Sequence, residues 1–321
     1  MMTSNDKQLS RAEALKILPD LTVVVPAFNE AETIARTIKS LKLVLDQLVD
    51  HFEIIIVDDG STDATFETAS DAGVRVLRLS RNFGKEQAIM AGLSRSTGAA
   101  TAIIDADLQE NAQNLNGMFE RYNQGYEMVY AVRANRDDEP MAKRLFSKVF
   151  YRLLEMGSDV KIPPDARDFR IMDRKVVNAL LDLPERNRFM KGLYGWVGFR
   201  TSGFPIEMAP REAGNSKFGF RRLAQLALTA LTSFTDWPLR IWTGIGFFIA
   251  LLSFLYGIWI VAKTLIWGAD TPGFATITVA IFFLGGVQLI SIGIVGEYLA
   301  RMFTELKGRP GFIIADDIGG E

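Results

Sequence analysis

Two long stretches without charge, close to the C-terminal end, constrain this chain more than any other feature. Residues 241–262 carry no charged side chain over roughly 22 positions, and a second uncharged stretch runs from Thr271 to Gly296. Each is near the ~20 residues with which a helix crosses the hydrocarbon core of a bilayer. Two buried helices of a soluble core are the alternative, but core helices rarely run this long without a charge. The stretches therefore predict two transmembrane helices, at about 241–262 and 272–297.

The charges around these stretches predict how the chain is oriented. Basic side chains flank the pair on the outside: Arg240, Arg301, Lys307 and Arg309. The connection between the two stretches carries only Lys263 and Asp270. Because basic residues concentrate on the cytoplasmic side of a membrane, we predict a hairpin with both chain ends in the cytosol. Residues 1–20, which lack an apolar core of signal-peptide length, and residues 301–321 would be cytosolic tails.

The overall composition excludes several classes of protein. A net charge of -2 and a pI near 5.7 oppose nucleic-acid binding, which normally needs a basic excess. The chain has no cysteine, so disulfides and thiolate metal sites are excluded, and the single His51 cannot build a histidine cluster. Any metal must therefore be bound by oxygen.

Residues 21–216 have the pattern of a mostly parallel α/β domain. Short apolar runs with the composition of buried strands alternate with helical patterns, and the runs are Leu21–Val25, Glu53–Val57, Val74–Leu79, Thr101–Ile104 and Met128–Val132. The clearest helical patterns span about 32–48 and 86–95. Polar clusters follow three of the strands, at 26–30, 58–61 and 105–107. Since ligands bind beyond the carboxyl ends of such strands, we expect three loops to converge on one crevice.

The loops of this predicted crevice are acidic rather than glycine-rich. No dinucleotide or P-loop fingerprint is present, whereas Asp105 and Asp107 alternate at a strand end, where a hard divalent cation and a phosphate can meet. The pattern favours a metal-bridged diphosphate. Each motif has a plainer alternative, because Asp58-Asp59-Gly60-Ser61 also fits a capped turn and an Asp-x-Asp arises by chance.

Four motifs, in order, resemble those of a known family: 25–30 (VPAFNE), 57–63 (VDDGSTD), 81–85 (RNFGK) and 105–109 (DADLQ). They are similar to the signatures of family 2 glycosyltransferases with the GT-A fold, and more narrowly to polyprenyl-phosphate glycosyltransferases such as dolichol-phosphate mannose synthase and bactoprenol glucosyltransferases. The ending at 296–301 (GEYLAR) resembles bactoprenol-type members with two membrane helices. The resemblance implies an enzyme that transfers a hexose from a sugar nucleotide to polyprenyl phosphate with inversion, using Mg²⁺ or Mn²⁺.

The resemblance also assigns donor-site residues. Asp107 would bind the metal, with Asp105 toward the ribose or the metal and Gln109 close to the metal and the donor sugar. Asp58 or Asp59 would accept a hydrogen bond from the base or ribose, and Lys85 would touch phosphate. The remaining residues assigned to the donor are three that line the nucleotide pocket and three of a loop closing over the diphosphate: Pro26, Phe28, Glu30, Arg211, Ser216 and Lys217.

The acceptor changes what catalysis requires. A polyprenyl phosphate is already anionic, so its oxygen attacks without a strong general base, but two anionic partners must be held together. Arginine binds phosphate oxygens bidentately, which makes Arg133, Arg136 and Arg144 candidates, although each fits a solvated surface arginine equally well. Asp168, by resemblance, would lie near the transferred sugar. Alternatively, Asp168 forms a salt bridge with Arg170 or caps a helix over 175–181.

Two segments have the pattern of interfacial helices. Residues 141–156 and 217–240 place apolar side chains at helical spacing opposite basic ones, which suits the headgroup region of a bacterial inner membrane. Packing of the first segment on the domain's own sheet is the alternative. We also expect a homo-oligomer.

Two rival functions are weaker. A processive polysaccharide synthase needs a Q-x-x-R-W motif and more membrane helices, yet Arg188-Phe189 has no Trp beside it. A non-catalytic membrane protein would have lost donor residues that are present here. One departure from the family is Glu110-Asn111-Ala112-Gln113, where relatives usually have D-P-P-E. The sequence leaves the sugar open: UDP-glucose comes first, followed by UDP-aminoarabinose derivatives, UDP-N-acetylhexosamine and GDP-mannose.

Overall fold

The computed structural model describes residues 20–107, 110–134, 166–186, 188–207 and 273–319, with scattered helical positions between 246 and 267. Within these residues, eight strands form one sheet in the order β7-β5-β6-β4-β1-β2-β3-β8. The strands are β1 (Leu21–Ala27), β2 (Phe52–Asp58), β3 (Arg75–Leu79), β4 (Ala100–Ile103), β5 (Met128–Arg133), β6 (Ala166–Asp173), β7 (Thr201–Ile206) and β8 (Ile314–Ile318).

The centre of the sheet is parallel and fully covered. β1 pairs in parallel with β2 and β4, and β2 with β3. Every residue of β1 is buried, as expected for an apolar strand between helical layers. The helices α1 (Ile34–Leu48), α2 (Thr65–Asp71) and α3 (Lys85–Arg95) connect these strands. The predicted parallel α/β domain is confirmed.

The other half of the sheet is mixed, since β6 is antiparallel to its neighbours whereas β5 and β7 pair in parallel. β6 lies between β4 and β5 and runs against both, and α4 (Asn114–Asn123) precedes β5. The helices α5 (Arg174–Asp182) and α6 (Met190–Trp196) follow β6. The Asp173 side chain accepts a hydrogen bond from the Lys175 amide at 2.9 Å and so caps α5. The alternative in which Asp168 caps this helix is wrong, because a cap must immediately precede the first helical residue.

A long helix, α7 (Phe274–Leu306), and the strand β8 complete the described chain. Within the part of the chain that the structure describes, α7 supplies one stretch, 283–306, that is long and apolar enough to cross a membrane. Its large apolar side chains are exposed, as in Phe283 and Leu289. The first predicted span overlaps only the scattered helical positions, and the predicted interfacial segments, 141–156 and 217–240, lie outside the described residues.

The chain after α7 returns to the sheet. Glu305 accepts a hydrogen bond from the Arg186 amide at 3.0 Å, and Arg186 donates to the Arg309 carbonyl at 2.6 Å. β8 then pairs antiparallel with β3, where Arg75 forms a bidentate ion pair with Asp317 at 2.9 and 3.0 Å. The end of the apolar helix is therefore attached to the α/β domain.

Candidate active site

The predicted crevice is present at the carboxyl ends of β1, β2 and β4. Because β6 runs antiparallel to β4, its first residues, including Arg167 and Asp168, arrive at the same edge. Hydrogen bonds join the first two loops: the Asn29 amide donates to the Ser61 hydroxyl at 2.9 Å, and the Glu30 amide to the Thr65 hydroxyl at 2.9 Å. The loops therefore form one connected wall.

The two neighbouring carboxylates at the end of β2 differ in their contacts. Asp59 is buried and accepts hydrogen bonds from the amides of Phe83 and Gly84 at 2.8 and 2.9 Å, so it fixes the loop before α3. Asp58 is completely buried, and its Oδ1 accepts from the Ser61 amide at 3.0 Å. Its Oδ2 has no hydrogen bond within the described residues and lies 3.5 Å from Arg78 Nε. Asp58 therefore keeps one oxygen that forms no hydrogen bond among the described residues and is ion-paired with Arg78.

The turn between these carboxylates and α2 requires glycine at position 60. Gly60 has a φ of +68°, and a Cβ there would lie 2.5 Å from the Arg81 carbonyl carbon. Positive φ and this close approach both exclude an ordinary side chain. The glycine thus lets the loop held by Asp59 pack directly against the end of β2.

Lys85, the first residue of α3, lies between two carboxylates from different strands. Its Nζ is 2.6 and 2.8 Å from the Asp105 oxygens and 2.7 Å from Asp168 Oδ2. Burial lowers the pKa of Lys85, but the two carboxylates outweigh it and hold this pKa above its usual range. Burial likewise raises the pKa of Asp168, but Lys85 and Lys191 outweigh it and keep that pKa well below normal. Lys85 and Asp168 are therefore both charged at neutral pH.

Carboxylates concentrate around the Asp105-x-Asp107 motif. Burial raises the pKa of Glu30, and the charges of Asp107, Asp63 and Asp105 raise it further. Such mutual repulsion among hard oxygen donors fits a site for Mg²⁺ or Mn²⁺. Among the described residues, no group of three or more acidic or histidine side chains is arranged to hold a metal ion by itself.

Glu110 is a site residue that sequence reasoning missed. It is buried, its Oε1 accepts from Arg167 Nε at 3.1 Å, and with Asp105 and Thr37 it lines a cavity of about 200 Å³. Burial, followed by the charge of Asp105, raises the pKa of Glu110 to about 7. The signal was available, because Glu110 stands where relatives usually have another acidic residue.

The remaining predicted residues divide into two groups. Pro26 is buried in β1, Phe28 is 42% exposed beside the crevice, and Arg133 ends β5. The others lie outside the described residues, and these are Gln109, Arg136, Arg144, Arg211, Ser216 and Lys217. The assigned ligands of the first group remain predictions, as do the positions and roles of the second.

Comparison with known proteins identifies the family. Residues 22–181 match the model described as Glycosyl transferase family 2, and residues 237–302 match that of the GtrB C-terminal hairpin. The chain therefore belongs to glycosyltransferase family 2, and it is a glycosyltransferase whose mostly parallel sheet is that of the GT-A fold. The family predicted from the four ordered motifs is thereby confirmed.

Individual relatives extend the match over nearly the whole chain. An uncharacterized glycosyltransferase of Synechocystis is 42% identical over 92% of this chain and 95% of its own length. The prophage-derived bactoprenol glucosyl transferase of Shigella flexneri is 43% identical over 92% of this chain and 97% of its own. A solved glucosyl-3-phosphoglycerate synthase of Mycobacterium tuberculosis, in complex with Mn²⁺, UDP-glucose and phosphoglyceric acid, aligns with a TM-score of 0.47 at 20% identity, over 72% of this chain and 82% of that one.

Proposed function

We propose that this glycosyltransferase moves a hexose, first of all glucose from UDP-glucose, to polyprenyl phosphate with inversion at the anomeric carbon. The observation that carries the proposal is the Asp105–Lys85–Asp168 arrangement at the mouth of an acidic crevice. Lys85 connects Asp105, at the strand end expected to hold a metal-bound diphosphate, with Asp168, the carboxylate expected to face the sugar. The bactoprenol glucosyl transferase relatives and the C-terminal hairpin support a lipid-linked acceptor.

The donor side of the mechanism depends on charge. Asp58 would accept a hydrogen bond from the base or ribose, and Phe28 would pack against the nucleotide. Asp107 and Asp105 would hold Mg²⁺ or Mn²⁺, which stabilises the negative charge that grows on a departing diphosphate. Lys85 carries a positive charge beside that position. With Asp105 bound to the metal, Lys85 would keep Asp168 as its partner and would be free to contact the diphosphate.

The acceptor side needs positioning rather than a base. The bond between the anomeric carbon and the diphosphate breaks, and a lipid phosphate oxygen forms the new bond on the opposite face. This oxygen is already deprotonated near neutral pH, so no proton has to be removed. Arg133, Arg136 and Arg144 would hold the lipid phosphate, and Asp168, ionised through its contact with Lys85, would orient the hydroxyls of the sugar.

With this function we propose a division of the chain into a transferase domain, an interfacial helix and a membrane part. Residues 21–216 would be the transferase domain, 217–240 an interfacial helix, and 241–300 two transmembrane helices. Residues 1–20 would be a cytosolic tail, and residues 301–321, which include the end of α7 and the strand β8, would also lie on the cytosolic side. We place the enzyme in a bacterial inner membrane as a homo-oligomer, with its active site on the cytosolic face. The attachment of α7 to the loop around Arg186 supports an active site close to the bilayer.

The test is a transfer assay on the purified full-length protein. Undecaprenyl phosphate is supplied with labelled UDP-glucose, UDP-N-acetylglucosamine, a UDP-aminoarabinose derivative or GDP-mannose, and label entering the lipid phase is counted with and without Mg²⁺ or Mn²⁺. We expect metal-dependent transfer, greatest with UDP-glucose, and its loss in Asp107→Asn. No transfer from any donor in the presence of metal would reject the proposal, and full activity of Asp107→Asn would reject the metal site.

A further inference from the structure

A second cavity, of about 300 Å³, lies between β5, β6 and α6. It shares no lining residue with the cavity around Glu110. Its polar and aromatic lining includes Tyr130, Arg170, Lys191 and Tyr194. Ala166, which precedes Asp168 by two positions and so faces the same side of β6, also lines it. The cavity therefore lies on the face of β6 that also carries Asp168.

Two cations of this cavity have no carboxylate of their own. Arg170 is buried, donates to the carbonyls of Arg167 and Asp168 at 2.6 and 3.3 Å, and lies 3.3 Å from the centre of the Tyr194 ring. Within the described residues, Lys191 forms no hydrogen bond and no ion pair, and burial lowers its pKa. The nearby carboxylates of Asp168 and Glu110 are engaged by Lys85 and Arg167. Lys191 therefore has no direct carboxylate contact within the described residues, and the charges of Asp168 and Glu86 act on it only from a distance.

The Tyr194 hydroxyl is a buried group of the same cavity lining that has no hydrogen-bond partner within the described residues. Tyr194 is 3% exposed, and its hydroxyl oxygen has no hydrogen-bond partner in the part of the chain that the structure describes. A buried hydroxyl without a partner is destabilising, and Tyr194 lines the cavity, so a ligand whose oxygen reaches this hydroxyl would remove that cost. Arg170 lies against the ring of the same tyrosine and so fixes the orientation of the Tyr194 ring.

We infer that this cavity binds a phosphate monoester, with Lys191 and the Tyr194 hydroxyl donating to its oxygens and Arg170 supplying a second positive charge. A phosphate monoester is close to a dianion at pH 7 and matches two cations, whereas a carboxylate matches only one. The cavity is larger than a phosphate group alone, and Met128 and Phe199 offer an apolar wall to the organic substituent. The ligand is either the head of the acceptor lipid, which rests on the proposed function, or a soluble phosphate monoester.

The test is a binding titration of the full-length protein in detergent without any sugar nucleotide. Farnesyl phosphate and methyl phosphate are the probes, and farnesol is the uncharged counterpart. Lys191→Gln and Tyr194→Phe are compared with Lys39→Gln, which removes an exposed lysine from α1. We expect affinity for farnesyl phosphate to fall about tenfold or more in Lys191→Gln and about threefold to tenfold in Tyr194→Phe, as for a charge-assisted and a neutral hydrogen bond. Farnesol binding should not change.

The two phosphate probes distinguish the source of the ligand. Weaker binding of farnesyl phosphate alone assigns the cavity to the lipid head, and weaker binding of both probes assigns it to phosphate monoesters in general. Unchanged affinity for both probes in the two variants, with melting temperatures like that of Lys39→Gln, would overturn the inference. Because no donor is present, a protein that binds these probes but transfers no sugar fails the proposed function alone.

Discussion

Lys85 donates a hydrogen bond to Asp168 at 2.7 Å across 83 positions of the sequence. The same ammonium contacts Asp105, so the start of α3, the end of β4 and the start of β6 meet at one charged group. The Lys85 side chain is 42% exposed and is therefore accessible to a ligand in the crevice. The contact makes Asp105 and Asp168, which we propose to face the metal and the sugar, dependent on one lysine.

Replacing this lysine should reduce turnover more than stability. In Lys85→Met the carboxylates of Asp105 and Asp168 lose their common cation and repel both each other and a diphosphate. We expect kcat for label transfer to fall by about 10²-fold or more, the range for loss of one electrostatic contact to a reacting group. Lys175→Met, which removes an exposed lysine paired with Glu127, is the matched control and should keep its activity. Equal activity of the two variants would contradict the role of Lys85.

The neighbours Asp58 and Asp59 should respond differently to the same change. Asp59→Asn leaves only one carboxamide oxygen for the amides of Phe83 and Gly84, so we expect a loss of about 1–3 kcal/mol in unfolding free energy. Asp58→Asn keeps an oxygen for the Ser61 amide but loses the charge available to a nucleotide. It should raise KM for the sugar nucleotide about tenfold or more. Thermal unfolding and donor titrations of both variants check this, and a reversed pattern would exchange the two roles.

Glu110 should make stability depend on pH in an unusual direction. Burial raises its pKa from 4.5 to about 7, so between these values the folded protein binds a proton that the unfolded chain does not. Stability therefore falls as pH rises from about 4.5 to about 7. Glu86, whose pKa burial also raises to about 7, contributes in the same sense. We expect Glu110→Gln to lose less melting temperature than the wild type between pH 5 and pH 8.

The control for this pH effect is Glu32→Gln, which changes an exposed carboxylate just before α1. It should follow the wild-type curve at every pH. Parallel curves for Glu110→Gln and the wild type would show that Glu110 does not titrate in this window.

The sequence predicted those parts of the molecule in which local pattern and position agree. Continuous apolar runs such as β1 specify buried parallel strands, and acidic residues directly after them must share one edge. The crevice and the family could therefore be predicted. β6 could not be predicted, because Arg167, Asp168 and Arg170 interrupt its apolar pattern. Their partners are Glu110 and residues of α3, β5 and α6, which only the tertiary structure brings together.

The same limit applies to the site. A carboxylate's partner is not encoded in its own segment, so Asp168 suggested a nearby Arg170 or a helix cap, whereas its close partner is Lys85. The different contacts of Asp58 and Asp59 arise only when the loop at 81–84 packs over Gly60. β8 could not be predicted either, because four of its five residues are exposed and its segment has the pattern of a polar tail.

The attachment of β8 gives a last prediction. Asp317 accepts two hydrogen bonds from Arg75, a side chain that is 17% exposed and also contacts Glu53 at 3.1 Å. Removing this bidentate, partly buried pair in Asp317→Ala should lower the unfolding free energy by about 1–2 kcal/mol. Asp316→Ala, on the same strand and exposed, forms no ion pair within the described residues and should change stability little.

Acid provides the independent check on this pair. Hydrogen bonds from Arg75 hold the pKa of Asp317 below its ordinary 3.8, so the contribution of the pair is present above that value and is lost as pH falls through the folded pKa. The gap in melting temperature between wild type and Asp317→Ala should therefore be full at pH 6 and narrow below about pH 4. A gap that stays constant with pH, or an equal loss in Asp316→Ala, would mean that β8 is held by its backbone hydrogen bonds to β3 and not by the ion pair.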